Sequence, residues 1–263
     1  MHTLYTPVSD LIRTVAREVV LHHYQQLSSA QISEKTPGDL VTIADQESER
    51  RLSAGLAAIL PQASIVGEEA VEADPVLIER VNDSTAWIID PIDGTHNYAH
   101  GHPPFGIIIA LVERGETVAG WLYDPLADRM CHAVRGGGAF INDLPVTARE
   151  SDEQLPVAAI STLFIEEPRR SAINRAAEGR FRLVDIPRCA AEQYPRLVLG
   201  ENDVTLFERT LPWDHAAGVL FVEEAGGKAA RLDGSRYLPG DCRTGMIAAA
   251  SPRLWDEAAA ILT

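Results

Sequence analysis

Asp90-Pro91-Ile92-Asp93-Gly94-Thr95, directly after the apolar run Ala86-Trp87-Ile88-Ile89, is the stretch on which the reading of this chain turns. The apolar run has the length and the branched and aromatic content of a buried strand in a mainly α/β domain. Two carboxylates three residues apart, just past a strand end, can aim at one point. Each costs several kcal/mol to bury unless a cation compensates, so a divalent metal is the natural partner. Gly94 lets a ligand approach the backbone, and Thr95 adds a hydroxyl and an amide. Such a set suits phosphoryl chemistry. The hexapeptide taken alone is also ordinary loop chemistry, with Asp-Pro and Asp-Gly turns whose side chains cap their own backbone.

On the N-terminal side, Val8, Leu11, Ile12, Val15, Val19, Val20 and Leu27 fall at helical spacing, which predicts an amphipathic helix over residues 5–27. Ser33 to Asp39 is polar and contains Pro37-Gly38, the composition of a mobile loop. A second helix is predicted from Thr42 to Leu60, ended by Pro61. Ser64-Ile65-Val66 is a short strand that carries Gly67-Glu68-Glu69 at its end.

On the C-terminal side, Gly106–Arg114, Thr117–Tyr123 and Arg129–Val134 predict an antiparallel meander, with turns at Arg114-Gly115-Glu116 and Asp124-Pro125. Arg135-Gly136-Gly137-Gly138 lacks the ending of a P-loop and is expected as a hairpin turn, and Asn142-Asp143 marks another. From about residue 150 strands and helices alternate. Strands are expected at Val157–Ser161, Phe181–Val184, Val204–Phe207, Lys228–Arg231 and Gly245–Ala250. Helices are expected at Pro168–Ala177, Ala190–Leu199, Asp214–Ala225 and Pro252–Leu262, the second weakened by Pro195 and the third stopped by Gly226-Gly227. This divides the chain into lobes of residues 1–145 and 146–263. No Pro/Gly/Ser-rich linker separates them, so they should pack as one layered body.

A chain of 263 residues is long enough for one large α/β domain or two lobes sharing a core. The formal net charge of −15 disfavours a nucleic acid polymer and an anionic membrane surface as partners. No apolar run approaches the ~20 residues that span a bilayer. The N-terminus carries no basic, apolar and small-residue sequence of the secretory type. Cys131, Cys189 and Cys242 are odd in number and far apart, as expected of free thiols in a reducing cytoplasm.

Three further features join the hexapeptide. Gly67-Glu68-Glu69 places acids after a strand, Trp213-Asp214-His215-Ala216-Ala217-Gly218 opens a helix with an Asp, and Asp45 starts the second helix. As lone residues, Asp45 and Asp214 could equally be helix caps. Together the blocks resemble the inositol monophosphatase family of Mg²⁺-dependent phosphatases, in order, in spacing and over essentially the whole chain. The resemblance implies an α/β layered fold, the αβαβα sandwich of the inositol monophosphatase and fructose-1,6-bisphosphatase type, as a homodimer; the cytoplasm is the compartment the free thiols suggest.

The resemblance also implies roles. Glu68, Asp90 and the Ile92 carbonyl would hold one Mg²⁺, Asp90, Asp93 and Asp214 a second, and a third ion would sit near Glu68. Gly94 and Thr95 would offer amides to the phosphate, and Thr95, paired with Asp45, would orient the attacking water. The implied activity is hydrolysis of a small phosphate monoester of the inositol 1-phosphate type, with sensitivity to Li⁺. A nearby alternative is a 3′(2′),5′-bisphosphate nucleotidase or a sugar or histidinol phosphatase. A rival of another class is a catalytically silent phosphate- or metal-binding regulatory protein.

Lys35 lies where some members place a lysine near the metals, and a solvent-facing loop lysine is equally compatible. Glu69 is expected as a neighbour rather than a ligand. His96, His100 and His102 lack a fourth partner for structural zinc and are expected to hydrogen-bond near the site. Two departures fall where the leaving group should lie. Many members carry a glutamate six residues before the Trp, where this chain has Phe207, with Glu208 one residue late. Many also carry Gly-Ser-Ala ahead of the preceding helix, where this chain has Arg188-Cys189-Ala190-Ala191. A second substrate phosphate would need cations, and Arg182, Arg188, Arg196 and Arg209 lie in the half that shapes this region.

Overall fold

Helically spaced apolar residues bury one face of α1 (Tyr5–Val15), which continues through a π-helical turn (Ala16–Val20) into α2 (Leu21–His23). The helix expected over 5–27 thus ends at His23. Gln25 turns into the left-handed region (φ 60°), and it and the Tyr24 hydroxyl donate to the Gly101 carbonyl, tertiary bonds that the sequence pattern does not carry. The structure is a computed structural model and describes residues 3–36, 39–83, 85–241 and 243–263.

The expected loop Ser33–Asp39 is mostly a hairpin, in which β1 (Ile32–Thr36) pairs antiparallel with β2 (Asp39–Thr42). It is polar, so no apolar alternation announces it; Pro37-Gly38 lies outside the described residues. Thr42 then caps α3 (Ile43–Ile59), and Asp45 reaches back to the Thr42 amide at 2.8 Å, a capping box with Asp in the third position.

There follow β3 (Ser64–Gly67), α4 (Glu68–Ala73), a 3-10 segment (Pro75–Asn82), β4 (Thr85–Asp93), α5 (Thr95–Ala99), β5 (Gly106–Glu113), β6 (Glu116–Asp124), β7 (Arg129–Val134), β8 (Gly138–Ile141) and β9 (Leu144–Val146). These strands form a seven-stranded sheet in the order β3-β4-β5-β6-β7-β8-β9, parallel only between β3 and β4. The meander and both turns lie where the sequence pattern put them, and Asn142 and Asp143 both take positive φ, as a two-residue hairpin requires.

The second half contributes β10 (Val157–Ile160), α6 (Arg169–Ala177), β11 (Arg182–Val184), α7 (Ala190–Val198), β12 (Val204–Phe207), α8 (Pro212–Glu224), β13 (Lys228–Arg231), β14 (Met246–Ala249) and α9 (Pro252–Leu262). Its five-stranded sheet runs β11-β10-β12-β14-β13, parallel among the first three and antiparallel beyond. Helix α7 continues through Pro195, whose neighbours Tyr194, Leu197 and Val198 are fully buried.

Strand alternation explains the layering. On β5, Ile107, Ile109 and Leu111 face α1 and α3, whereas Ile108, Ala110 and Val112 face α7 and α8. On β14, Met246 and Ala248 meet α8 from the other side, and Ile247 and Ala249 join α9. Three apolar clusters therefore fill the spaces of a five-layer αβαβα sandwich. Helix α8 belongs to the second half in sequence but lies between the two sheets. Gly120 on β6 allows this approach, because a Cβ there would stand 2.8 Å from the Ala217 Cα. Among the described residues, no helix is long and apolar enough to cross a membrane.

Candidate active site

Residues three apart on a regular strand face opposite sides, so Asp90 and Asp93 should diverge. They converge because β4 bulges: the step from Asp90 to Asp93 pairs with the shorter step from Ile108 to Gly106 on β5. Asp214, in the first turn of α8, completes the group. One carboxylate oxygen from each of Asp90, Asp93 and Asp214 lies within 4.8 Å of the others. Among the described residues these form the only cluster of three or more His, Cys, Asp or Glu with converging ligand atoms.

Burial pushes all three carboxyls up, Asp214 to about 8; neighbouring acids and the charge of Glu68 push Asp90 and Asp214 further, whereas hydrogen bonds from Ala191 and Cys189 hold Asp93 back. Acidic oxygens crowded at this range are a donor set for a hard divalent cation such as Mg²⁺, and their chemistry fits the metal that the resemblance implies. His96 and His100 contact each other. His100 Nδ1 bonds the His96 carbonyl (2.7 Å), and the His96 ring lies 4.5 Å from that of His100.

The neighbours are held by a separate set of bonds. Asp93 Oδ2 accepts from the Ala191 amide at 2.6 Å and from Cys189 Sγ at 3.0 Å, which ties β4 to the start of α7. Glu68 opens α4, and the amides of Glu69 and Ala70 donate to the Glu49 carboxylate at 2.7 and 2.8 Å. A Cβ on Gly67 would stand 2.3 Å from the Glu49 carboxylate carbon, so any larger residue there would push Glu49 off the amides it caps. Lys35 Nζ donates to Glu68 (3.1 Å) and Glu69 (2.7 Å), with its side chain 7% exposed. The lysine therefore sits beside the acids rather than in solvent, and burial raises Glu69 to about 7.

Asp45 is both cap and site residue. Its Oδ2 accepts from the Thr42 amide and hydroxyl, which leaves Oδ1 to the Thr95 hydroxyl at 3.2 Å. Thr95 Oγ1 also lies 2.8 Å from the Ile92 carbonyl. Burial pushes the Asp45 carboxyl up to about 7. Gly94 supplies the left-handed turn (φ 82°) between β4 and α5.

The cluster floors a cleft of about 410 Å³, also lined by Glu68, Thr95, His96, Phe164, Arg188, Phe207, Glu208 and Arg209. Glu208, one residue later than the family position, lines it and pairs with Arg169 at 2.6 Å. Of the four arginines considered from sequence, only Arg188 and Arg209 line the cleft. Arg182 pairs with Glu153 (2.8 Å) and Arg196 with Glu192 (2.7 Å). Each has a local acid to satisfy it, which net composition does not reveal. His215 bonds the Tyr194 hydroxyl (2.7 Å) and the Arg209 carbonyl (3.0 Å). A carbonyl only accepts, so His215 Nε2 carries the proton and Nδ1 accepts from Tyr194. Burial lowers its pKa to about 3 and keeps the ring neutral.

Sequence reasoning missed Glu49, Tyr194 and Phe164. A mid-helix Glu twenty residues from its target carries no local signal, whereas Gly67 was a hint that something packs close. Cys131 and Cys189 are free and buried, and Cys242 lies outside the described residues.

A family model for the inositol monophosphatase family matches residues 1–263. The chain belongs to the inositol monophosphatase family. Within it, the chain is 34% identical over 232 residues to the inositol-1-monophosphatase of Mesorhizobium japonicum, covering 82% of this chain and 80% of that one. It is 31% identical to the Nus factor SuhB of Vibrio cholerae, covering 94% and 92%. The extragenic suppressor protein suhB from Bartonella henselae superposes with a TM-score of 0.86 at 26% identity, covering 100% of this chain and 99% of that chain. The family is one of phosphatases, and the differing names of its members leave the substrate to be argued from the site.

Proposed function

We propose that this protein is a Mg²⁺-dependent phosphomonoesterase acting on a small phosphorylated metabolite, with water as the nucleophile. The convergence of Asp90, Asp93 and Asp214 carries this reading. Glu68, Asp90, the Ile92 carbonyl, Asp93 and Asp214 would hold two to three ions. Bound there, Mg²⁺ supplies positive charge for the phosphoryl group and for the attacking and leaving oxygens.

The chain's own residues orient the reactants. The Thr95 hydroxyl stands between Ile92 and Asp45 with one proton to give and lone pairs to accept another. It takes a proton from the attacking water as its own passes to Asp45 Oδ1. Asp45, raised to about 7, is in the range a general base needs near neutral pH. The Thr95 amide and Gly94 let phosphate oxygens approach the backbone, while Asp93, clamped by Cys189 and Ala191, keeps its place beside Asp90. Glu208 faces the leaving group in the cleft. A homodimer is part of the same proposal, as is inhibition by tens of millimolar Li⁺, and both rest on the family; the cytoplasm, also part of it, rests on the free thiols.

The test is phosphate release with Mg²⁺ across inositol 1-phosphate, 3′-phosphoadenosine 5′-phosphate, fructose 1,6-bisphosphate and histidinol phosphate. Turnover of at least one is expected, with Asp93→Asn slower by about a thousandfold or more because preorganised charge is the main catalytic term. Silence on all four, or a fully active Asp93→Asn protein, overturns the reading.

A further inference from the structure

Arg188 holds a conformation that its residue type disfavours. Its φ is 53°, in the left-handed region that glycine adopts freely and a residue with a Cβ adopts at a cost of about 1–2 kcal/mol. Many members of the family carry a glycine there, ahead of Ser-Ala, whereas this chain mounts a guanidinium on a left-handed backbone. Both flanks are clamped. Asn97 Nδ2 donates to the Pro187 carbonyl at 2.9 Å, and Cys189 and Ala191 are fastened to Asp93. Strain kept in place by such clamps at the edge of a site points to a use for the side chain.

Arg188 lines the same cleft as the acid cluster and, among the described residues, makes no ion pair. Its charge reaches His96, another lining residue, whose pKa is lowered by burial first and by Arg188 second. The wall's own acid does not cancel it, since Glu208 is met by Arg169. Beside it, Arg209 is anchored through its carbonyl to His215, and its guanidinium lies 4.7 Å from the ring centroid of Phe164, which is 55% exposed. In a chain of net charge −15, the Arg188 guanidinium in the wall of a cleft that also holds the acid cluster suits a substrate with a second negative charge.

We propose that Arg188 determines specificity by binding an anionic group on the leaving alcohol, so that the substrate is a phosphomonoester carrying a second phosphate or a carboxylate. This rests on the phosphomonoesterase reading above. A planar guanidinium meets either anion through two parallel hydrogen bonds, and contacts of this kind change affinity by about tenfold or more.

Two matched pairs distinguish the anions: glycerol 2-phosphate against 2-phosphoglycerate for the carboxylate, and adenosine 3′-phosphate against adenosine 3′,5′-bisphosphate for the phosphate. Phosphate release with Mg²⁺ and equilibrium binding by calorimetry are measured for each. The protein should prefer the anion-bearing member of at least one pair by about tenfold or more. Arg188→Gly, which suits the left-handed backbone and so should fold, should reduce that preference to near unity, and Arg188→Lys should restore part of it. Absence of preference in binding, or a preference that survives in Arg188→Gly, overturns the proposal. If no member is hydrolysed but a binding preference exists and is lost in Arg188→Gly, the anion site stands, and the phosphatase reading stands or falls by the four-substrate assay above.

Discussion

The two walls of the cleft are built in opposite ways. The wall from β4, α3 and α4 consists of carboxylates, of which Asp45, Glu49 and Asp93 are fixed by backbone amides and Glu68 and Glu69 by Lys35, and its Glu68, Asp90 and Asp93 fall in the family blocks. The facing wall, from the β12–α8 connection and the segment before α7, is more exposed, carries arginines and aromatic rings, and departs from the family pattern at Phe207 and Arg188. Chemistry common to a family needs fixed geometry, whereas the choice of leaving group can be rewritten on a surface that does not touch phosphorus.

Variants on the first wall should therefore strike turnover, and variants on the second should strike selection. Asp45→Asn removes the proton acceptor but keeps the shape, so kcat should fall by about 10²–10⁴-fold while KM moves little. A rise in KM with kcat unchanged would assign Asp45 to binding instead. Where the two halves meet, Gly120→Ala should lower stability by about 1–3 kcal/mol through overpacking against Ala217. Urea unfolding measures that cost, and kcat should drop with it, because α8 carries Asp214. A stable variant with unchanged kcat would show that α8 is free to shift without consequence.

Asp214 and Asp45 titrate higher in the folded protein than the ordinary 3.8, at about 8 and about 7. The folded state therefore binds the extra protons, and the stability these groups contribute is complete below about pH 4 and lost as the pH rises toward 8. The metal-free protein should lose thermal stability over that window, Mg²⁺ should restore more of it at pH 8 than at pH 5, and Asp214→Asn should flatten the slope. An equal slope in wild type and variant would sink this account. On the second wall, Glu208→Gln breaks only its pair with the half-exposed Arg169, so unfolding should change by under about 1 kcal/mol, with the effect confined to KM. A large loss of kcat would move Glu208 to the other wall.

Much of this was legible in one dimension. Apolar runs buried on both faces, such as Ile107 to Val112, announce strands whatever surrounds them, because alternation and length are local properties. The pairing of β1 with β2 was not legible, since Ser33 to Thr36 are polar and Lys35 draws its order from Glu68 and Glu69 far along the chain. The end of the first helix was hidden for the same reason, as Tyr24 and Gln25 answer to Gly101.

From sequence alone come the acids, their order and the layered α/β plan, since covalent spacing and residue chemistry require no partner to be read. The tertiary structure alone decided that a one-residue bulge turns Asp93 toward Asp90 and that Glu49 caps α4 from a distant helix. It also decided which two arginines face the cleft and which two are spent on neighbouring glutamates. Those are choices among competing partners for one charge or one amide, and the distances that settle them exist only once the chain has folded.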